Sequence, residues 1–331
     1  MRADASLLVT GGGGFVGGNF VRLALASNPG WKVTVFDSLG GAQDRPVLGG
    51  LDERFPGRYR LGRGGITDRE VLGRLFAEQD VDAVVHFAAK NPSGLSEADP
   101  MAFVEINVMG TATLLECARE AWDGKEGIFL HLSSYEVYGS DATGIFTESS
   151  GLNPSTPYAA SKAAADELTL AYHRTFGMRA MVTRTTNIYG PHQSKDKLIP
   201  AIALRARDHL PLPVFGSGGN LRDWIHVDDH NRGVIRVLEK GRAGQVYHLG
   251  ARCERSNLAL IRSVARCAAE VLGRPPDEAE ASIEFVEDRQ GHDARRSLDP
   301  TKAERELGFK AEVDFEAGLK KTIEWILGGR G

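Results

Sequence analysis

The run Thr10-Gly11-Gly12-Gly13-Gly14-Phe15-Val16-Gly17 follows a short apolar stretch, Leu7 to Thr10, and opens a segment of helical period, Phe15 to Ala26. A strand, a tight glycine turn and a helix in that order commit a chain to a βαβ unit, and so to a parallel sheet. In such a turn Gly11 makes the bend, Gly14 leaves the backbone open to close approach, and Gly17 lets the helix lie against the strand. Asp37 ends the next apolar run, Lys32 to Phe36, twenty residues after Gly17. An acid at that spacing holds adenosine ribose hydroxyls while the helix N-terminus, at Phe15 and Val16, takes a pyrophosphate. A dinucleotide is therefore expected. Ser38-Leu39-Gly40-Gly41 offers no arginine for a 2′-phosphate, which favours NAD over NADP.

The alternation continues. Ala83 to Phe87, Ile128 to Leu132, Ala180 to Thr183 and Val246 to Leu249 read as further strands. Asp68 to Gln79, Met101 to Trp122 and Tyr158 to Phe176 read as the helices between them. Continuous apolar strands separated by helices predict a Rossmann-type α/β fold, a doubly wound parallel sheet covered on both faces. After Pro191 the pattern breaks into Pro- and Gly-rich sequence, with helical runs only at Asn231 to Glu239, Leu258 to Leu272 and Phe315 to Leu327, and a loop at Pro275 to Glu280. We expect a dinucleotide-binding domain at 1–190 and 230–250. A smaller, discontinuous C-terminal lobe for the substrate is expected at 191–229 and 251–331.

Composition excludes several classes. With 331 residues, 25% of them charged and a net charge of −4, nothing favours nucleic acid or an anionic membrane. Cys117, Cys253 and Cys267 are odd in number and widely spaced, so neither disulfides nor a metal site is expected. No run of eighteen consecutive apolar residues occurs, and Met1 to Ser6 carries no leader pattern. The cytoplasm is the expected location.

Tyr158 and Lys162 lie one helical turn apart, so both face the same way. An ammonium beside a phenol favours phenolate, which predicts a Tyr158 pKa below ~10 and a base for an alcohol proton. Upstream, Ser133-Ser134-Tyr135-Glu136 follows an expected strand, and Glu136 is a candidate base for a second step.

With the glycine turn, this pair resembles the extended short-chain dehydrogenase/reductases, and within them the dTDP-glucose 4,6-dehydratases. The resemblance covers essentially the whole chain. It rests on Asn187-Ile188-Tyr189-Gly190-Pro191-His192-Gln193, Lys197-Leu198-Ile199-Pro200, Arg222-Asp223-Trp224-Ile225-His226 and Asp288-Arg289-Gln290-Gly291-His292-Asp293-Ala294-Arg295-Arg296. It implies that Ser134 bonds the sugar C4 hydroxyl, that Tyr158 takes its proton with Lys162 in support, and that Glu136 removes the C5 proton as water leaves C6. It implies cofactor contacts from Ile66, Ala88, Ala89 and Asn107. Substrate contacts are implied for Lys90, Asn187, Lys197, Leu198, Pro213, Phe215, Arg222, Asn257, Arg289 and His292. A homodimer is implied, paired through the helices around Met101 to Trp122 and Tyr158 to Phe176.

Four departures stand out. Tyr135 replaces the family's acid, Lys90-Asn91-Pro92-Ser93-Gly94 replaces an acidic loop, Gly65 replaces an acid before Ile66, and Ser297 stands where an aromatic residue is expected. Tyr135 either donates the proton for the departing hydroxyl or marks a changed end reaction. A nucleotide-sugar 4-epimerase or decarboxylase shares the first oxidation, and a non-catalytic NAD sensor shares the fold.

Overall fold

The computed structural model describes residues 1–39, 46–92, 99–141, 144–288 and 293–330. In chain order its strands are β1 (Ser6–Thr10), β2 (Lys32–Asp37), β3 (Tyr59–Arg63), β4 (Ala83–His86), β5 (Ile128–Ser134), β6 (Arg179–Thr185), β7 (Asn187–Tyr189), β8 (Leu212–Phe215), β9 (Leu221–His226), β10 (Val246–Leu249), β11 (Glu254–Ser256), β12 (Ile283–Val286) and β13 (Arg295–Arg296). Seven form one sheet in the order β10-β6-β5-β4-β1-β2-β3, every adjacent pair parallel.

Side chains alternate across this sheet into two cores. Leu7 and Val9 of β1, Ala83 and Val85 of β4, and Ile128 and Leu130 of β5 point to one face. Leu8, Val84 and Phe129 point to the other. Helices Phe15–Ser27, Val227–Lys240 and Thr301–Leu307 cover the first face. Arg69–Glu78, Gly110–Ala121 and Pro157–Phe176 cover the second. After β3 the chain crosses to β4 on the far side of β1. The carboxyl ends of β1 and β4 therefore flank the crevice where such sheets take ligands.

β3 was not among the expected strands. It is the sheet edge, largely exposed, and its Tyr-Arg-Leu-Gly-Arg sequence carries no apolar run to announce it. Pro275 to Glu280 is not wholly a loop either, because Pro276–Glu280 forms a short helix. Proline with its fixed φ suits a first helical position, and the acids that follow suit a helix N-terminus.

A separate apolar core gathers around helix Asn257–Val271. Leu260, Ile261 and Val264 meet Ile199 and Ile202 of helix Leu198–Arg207 and Leu319 and Ile323 of helix Phe315–Trp325. β9 carries β11 antiparallel on one side and β13 and β7 parallel, while β8 pairs with β12. Two segments cross the expected division. β7, inside 1–190, pairs with β9. Helix Thr301–Leu307, inside 251–331, puts Ala303 and Leu307 into the first core.

The helical stretch Pro100–Ala121 is apolar enough by length and composition to span a membrane, with a mean hydropathy of 1.3 over its most apolar window, although no unbroken apolar run exists in it. Its buried side, including Leu114, Leu115 and Ala118, belongs to the second face's core. One π-helical turn, Val104–Met109, interrupts it and carries the buried Asn107. Such bulges gather at functional sites.

Candidate active site

The glycine turn ties two strand ends together. Gly11 has φ +70°, and a Cβ there would lie 2.5 Å from Ala88 N at the end of β4. Only glycine adopts that conformation at no steric cost. A Cβ on Gly17 would lie 2.5 Å from Gly11 O, so the helix rests directly on the turn. Gly14 differs, because a Cβ there meets only Gly11 O, at 3.3 Å. Gly14 caps helix Phe15–Ser27 with no side-chain bond, leaving the N–H groups of its first turn, from Phe15 and Val16, facing an open side. Asp37 Oδ2 accepts from Gly13 N and Oδ1 from Leu39 N, each at 2.9 Å, and each oxygen keeps a lone pair for a hydroxyl. An uncapped helix end, an open glycine and a fixed carboxylate fit the pyrophosphate and ribose of a dinucleotide.

Beside the turn, Asn107 grips the segment after β4. Its Oδ1 accepts from Lys90 N at 2.7 Å, and its Nδ2 donates to Lys90 O at 3.1 Å and to Ser161 Oγ at 2.8 Å. Ala89 lies half-buried within the segment so held, and Lys90 is exposed. Ile66 is buried against Gly110, where an added Cβ would lie 2.6 Å from its side chain.

Helix Pro157–Phe176 starts at Thr156, whose side chain accepts from Ala159 N, with Pro157 in its first position. It carries Tyr158 and Lys162, both buried. Lys162 Nζ donates to Leu132 O at 2.7 Å and lies 3.2 Å from His131 Nε2. Burial holds the ammonium down to about 8, against the opposing pull of Asp166. His131 is driven well below its usual value by burial and by Lys162, so it is neutral and accepts. The expected lowering of the Tyr158 phenol is not found. Burial raises it above its ordinary 10.0, and the Glu136 carboxylate adds to the rise. The charge that opposes the rise is Arg296, not Lys162.

Sequence reasoning missed the support behind Lys162. Asp166 Oδ1 lies 3.5 Å from His131 Nε2, and its Oδ2 accepts from Arg184 Nε at 2.8 Å. Arg184 Nη1 donates to Tyr138 Oη at 2.6 Å, and Tyr138 Oη lies 2.7 Å from His248 Nε2. A usable signal was Asp166 itself, a carboxylate one further helical turn along the Tyr158 and Lys162 face.

At the end of β5, Ser134 Oγ accepts from Glu136 N at 3.2 Å and so caps the single 3₁₀ turn Tyr135–Tyr138. Tyr135 is buried, and its hydroxyl donates to Asn187 Oδ1 at 2.9 Å. Burial raises its phenol above the ordinary 10.0, opposed by Arg222 and Arg296. A phenol so raised and so bonded is a poorer acid than the sequence suggested. Glu136 Oε2 pairs with Arg296 Nη1 at 3.0 Å.

Among the other expected substrate residues, Arg222 is brought to this cluster, donating to Leu221 O at 2.8 Å and to Asp293 O at 2.9 Å. Lys197 Nζ donates to Pro92 O at 2.9 Å. Leu198 packs against the separate core of the C-terminal half. Pro213 and Phe215 are half-buried on β8, alternating with the buried Leu212 and Val214. Asn257 opens its helix, with its N–H bonded to Asn220 O at 3.0 Å. Arg289 and His292 lie outside the described residues.

The sequence model described as GDP-mannose 4,6 dehydratase matches residues 8–322. A dTDP-glucose 4,6-dehydratase from Mycolicibacterium smegmatis is 43% identical, covering 96% of this chain and 92% of its own length. A solved dTDP-glucose 4,6-dehydratase from Streptomyces venezuelae, with NAD bound, has a TM-score of 0.88 at 44% identity, covering 98% of each chain. A UDP-glucuronic acid 4-epimerase from Bacillus cereus has a TM-score of 0.85 at 27% identity, covering 98% of this chain and 99% of its own.

Proposed function

The chain belongs to the GDP-mannose 4,6 dehydratase family, and from that membership and its site we propose that it is an NAD-dependent nucleotide-sugar 4,6-dehydratase. The observation that carries this reading is that the Tyr158 helix and Glu136 are both tied to the carboxyl end of β5: Lys162 Nζ donates to Leu132 O at 2.7 Å, and Ser134 Oγ accepts from Glu136 N at 3.2 Å. One group suits an oxidation and the other an elimination, and they share one space at the carboxyl end of β5.

NAD is held by the glycine turn, the first turn of helix Phe15–Ser27, Asp37, Ile66, Ala88 and Ala89. When bound it would supply an acceptor and then a donor of hydride, the chemistry that oxidation at C4 and reduction at C6 need. Ser134 bonds the C4 hydroxyl and Tyr158 takes its proton, which leaves a ketone. Lys162 keeps a positive charge beneath this site. The ketone acidifies C5, and Glu136 removes that proton. The C6 hydroxyl leaves as water, with the protonated Glu136 as its acid; when hydride is delivered to C6, C5 regains one proton, which balances the one Tyr158 took from the C4 hydroxyl.

Arg222, Lys197 and Asn187 line the substrate side, and the arginine fork suits a diphosphate. We place the sugar nucleotide between the large sheet and the C-terminal core, the division 1–190 with 230–250 against 191–229 with 251–331 being approximate at β7 and at Thr301–Leu307. A homodimer through a four-helix bundle accounts for the exposed Met101, Val104, Met109 and Phe176 on two neighbouring helices. The cytoplasm, where NAD is supplied, is the proposed location.

Both named dehydratase relatives act, by name, on dTDP-glucose, so that compound is the first to test. Incubation with NAD followed by mass spectrometry is expected to show loss of one water. Loss of carbon dioxide from a glucuronate, or unchanged mass with an altered sugar spectrum, identifies a decarboxylase or an epimerase instead.

A further inference from the structure

Nothing in the sequence separates Arg296 from its neighbour Arg295, yet they act differently. Arg295 makes a fork with Glu254, Nε to Oε1 at 2.7 Å and Nη2 to Oε2 at 2.8 Å. Alternation along β13 turns Arg296 the other way. Its side chain is 10% exposed. Nη1 meets Glu136 Oε2 at 3.0 Å, Nη2 meets Asp293, and the guanidinium lies 5.7 Å from the Tyr135 ring centroid.

A buried guanidinium needs an anionic partner, and Asp293 already supplies one. Glu136 is the second carboxylate on the same guanidinium, each carboxylate on its own Nη nitrogen. Glu136 stands on a single turn after β5, and the bond to Ser134 fixes only its backbone. Its side chain is 27% exposed and has rotamer freedom to lose. A planar guanidinium held by Asp293 through Nη2 presents Nη1 to Glu136 in a fixed direction, which a flexible ammonium does not.

We propose that Arg296 is the positioning residue of the elimination step, holding the Glu136 side chain in one direction at the carboxyl end of β5. The proposal rests on the dehydratase reading above. In that step the C5–H bond breaks, its electron pair forms the C5–C6 double bond, and the C6–O bond breaks. The proton passes to Glu136 and then to the departing oxygen. Arg296 neither gains nor loses a proton.

The test uses the NAD-loaded protein with dTDP-glucose and the variants Arg296→Gln and Arg296→Lys. Three readouts separate the steps: near-ultraviolet absorbance of reduced nicotinamide for C4 oxidation, deuterium uptake at C5 from heavy water, and water loss by mass. Arg296→Gln is expected to keep KM and C4 oxidation within about threefold and to slow C5 exchange and water loss by about 10- to 100-fold. Arg296→Lys, with charge but no fork, is expected to recover part of that loss. A general fall in all three readouts, with no selective recovery by lysine, indicates a structural role and overturns the proposal. So does wild-type C5 exchange in Arg296→Gln. If the glutamine variant does not fold, Arg296→Lys decides alone, since selective slowing of C5 exchange supports the proposal and its absence overturns it. The two failures are distinguishable. A wild-type protein that oxidises no sugar nucleotide removes the dehydratase reading and this inference together. Intact wild-type dehydration with unaltered variant exchange removes the inference only.

Discussion

The two halves of the site handle charge in opposite ways. Around Tyr158 and Lys162, burial dominates and pushes titratable groups toward their neutral forms. The phenol is raised, Lys162 is held down to about 8, and His86 is held down to about 3. Around Glu136, ion pairs dominate: Arg296 bridges Glu136 and Asp293, and Arg222 stands beside them. In the first half burial favours uncharged groups, and of those named Lys162, at about 8, is the one whose charged and neutral forms lie close in free energy near neutral pH. In the second half ion pairs set the direction of a carboxylate before that group moves a proton.

The largest effect is expected where this contrast is sharpest. Tyr158→Phe removes the acceptor for the C4 hydroxyl proton and is expected to slow C4 oxidation by about 10²- to 10⁴-fold. The Glu136–Arg296 pair does not involve that hydroxyl, so folding and dinucleotide binding should be retained. The check is absorbance of reduced nicotinamide after mixing with dTDP-glucose. An undiminished rise in the variant breaks the assignment of oxidation to this half.

Lys162→Met tests whether burial rules there. Lys162 releases its proton at about 8 in the folded chain and at its ordinary 10.5 when unfolded. Below pH 8 both states carry the proton, and the full penalty of burying it is present. Between those values the unfolded chain binds the proton that the folded chain has lost, so wild-type stability rises with pH. Methionine binds none. Its lost bonds to Leu132 O and His131 shift the variant's stability by an offset, not by a slope. Relative to wild type the variant should therefore be most stable below pH 8 and lose ~3 kcal/mol by pH 10.5. Urea unfolding at both ends of that window measures this, and a pH-independent difference contradicts it.

The contrast also explains what could be read in advance. The oxidation half was largely legible, because backbone geometry at local spacing builds it. Glycines in a turn, an acid at the end of β2 and two residues one helical turn apart are all sequence-local. Burial of Lys162 and the phenol's rise were not, since neither composition nor spacing says how deep a helix face will sit. The elimination half joins Tyr135 to Asn187, Glu136 to Arg296 and Arg222 to Asp293, each across a long stretch of chain. The pairing of β13 and β7 with β9, with the bridge from Phe146 to Leu298, brings these partners together. β3 was missed for a related reason, as an exposed edge strand has little apolar pattern to show.

Tyr135→Phe should have the smallest effect, and it decides whether the second half contains a proton donor besides Glu136. The change removes one hydroxyl and leaves Asn187 Oδ1 without its donor. Asn187 is only half-buried, so water can replace that bond. The loss in stability is then about 1 kcal/mol, the ordinary net worth of one hydrogen bond. The hydroxyl's proton is already directed to Asn187, and burial makes it harder to release. Dehydration measured by loss of water should therefore stay within about threefold of wild type. If water loss instead falls about 100-fold while C4 oxidation persists, the phenol is the acid after all, because that magnitude matches removal of a general acid. Glu136 would then act as base only. The elimination half would need two groups to move protons, and the direction set by Arg296 would account for only one of them.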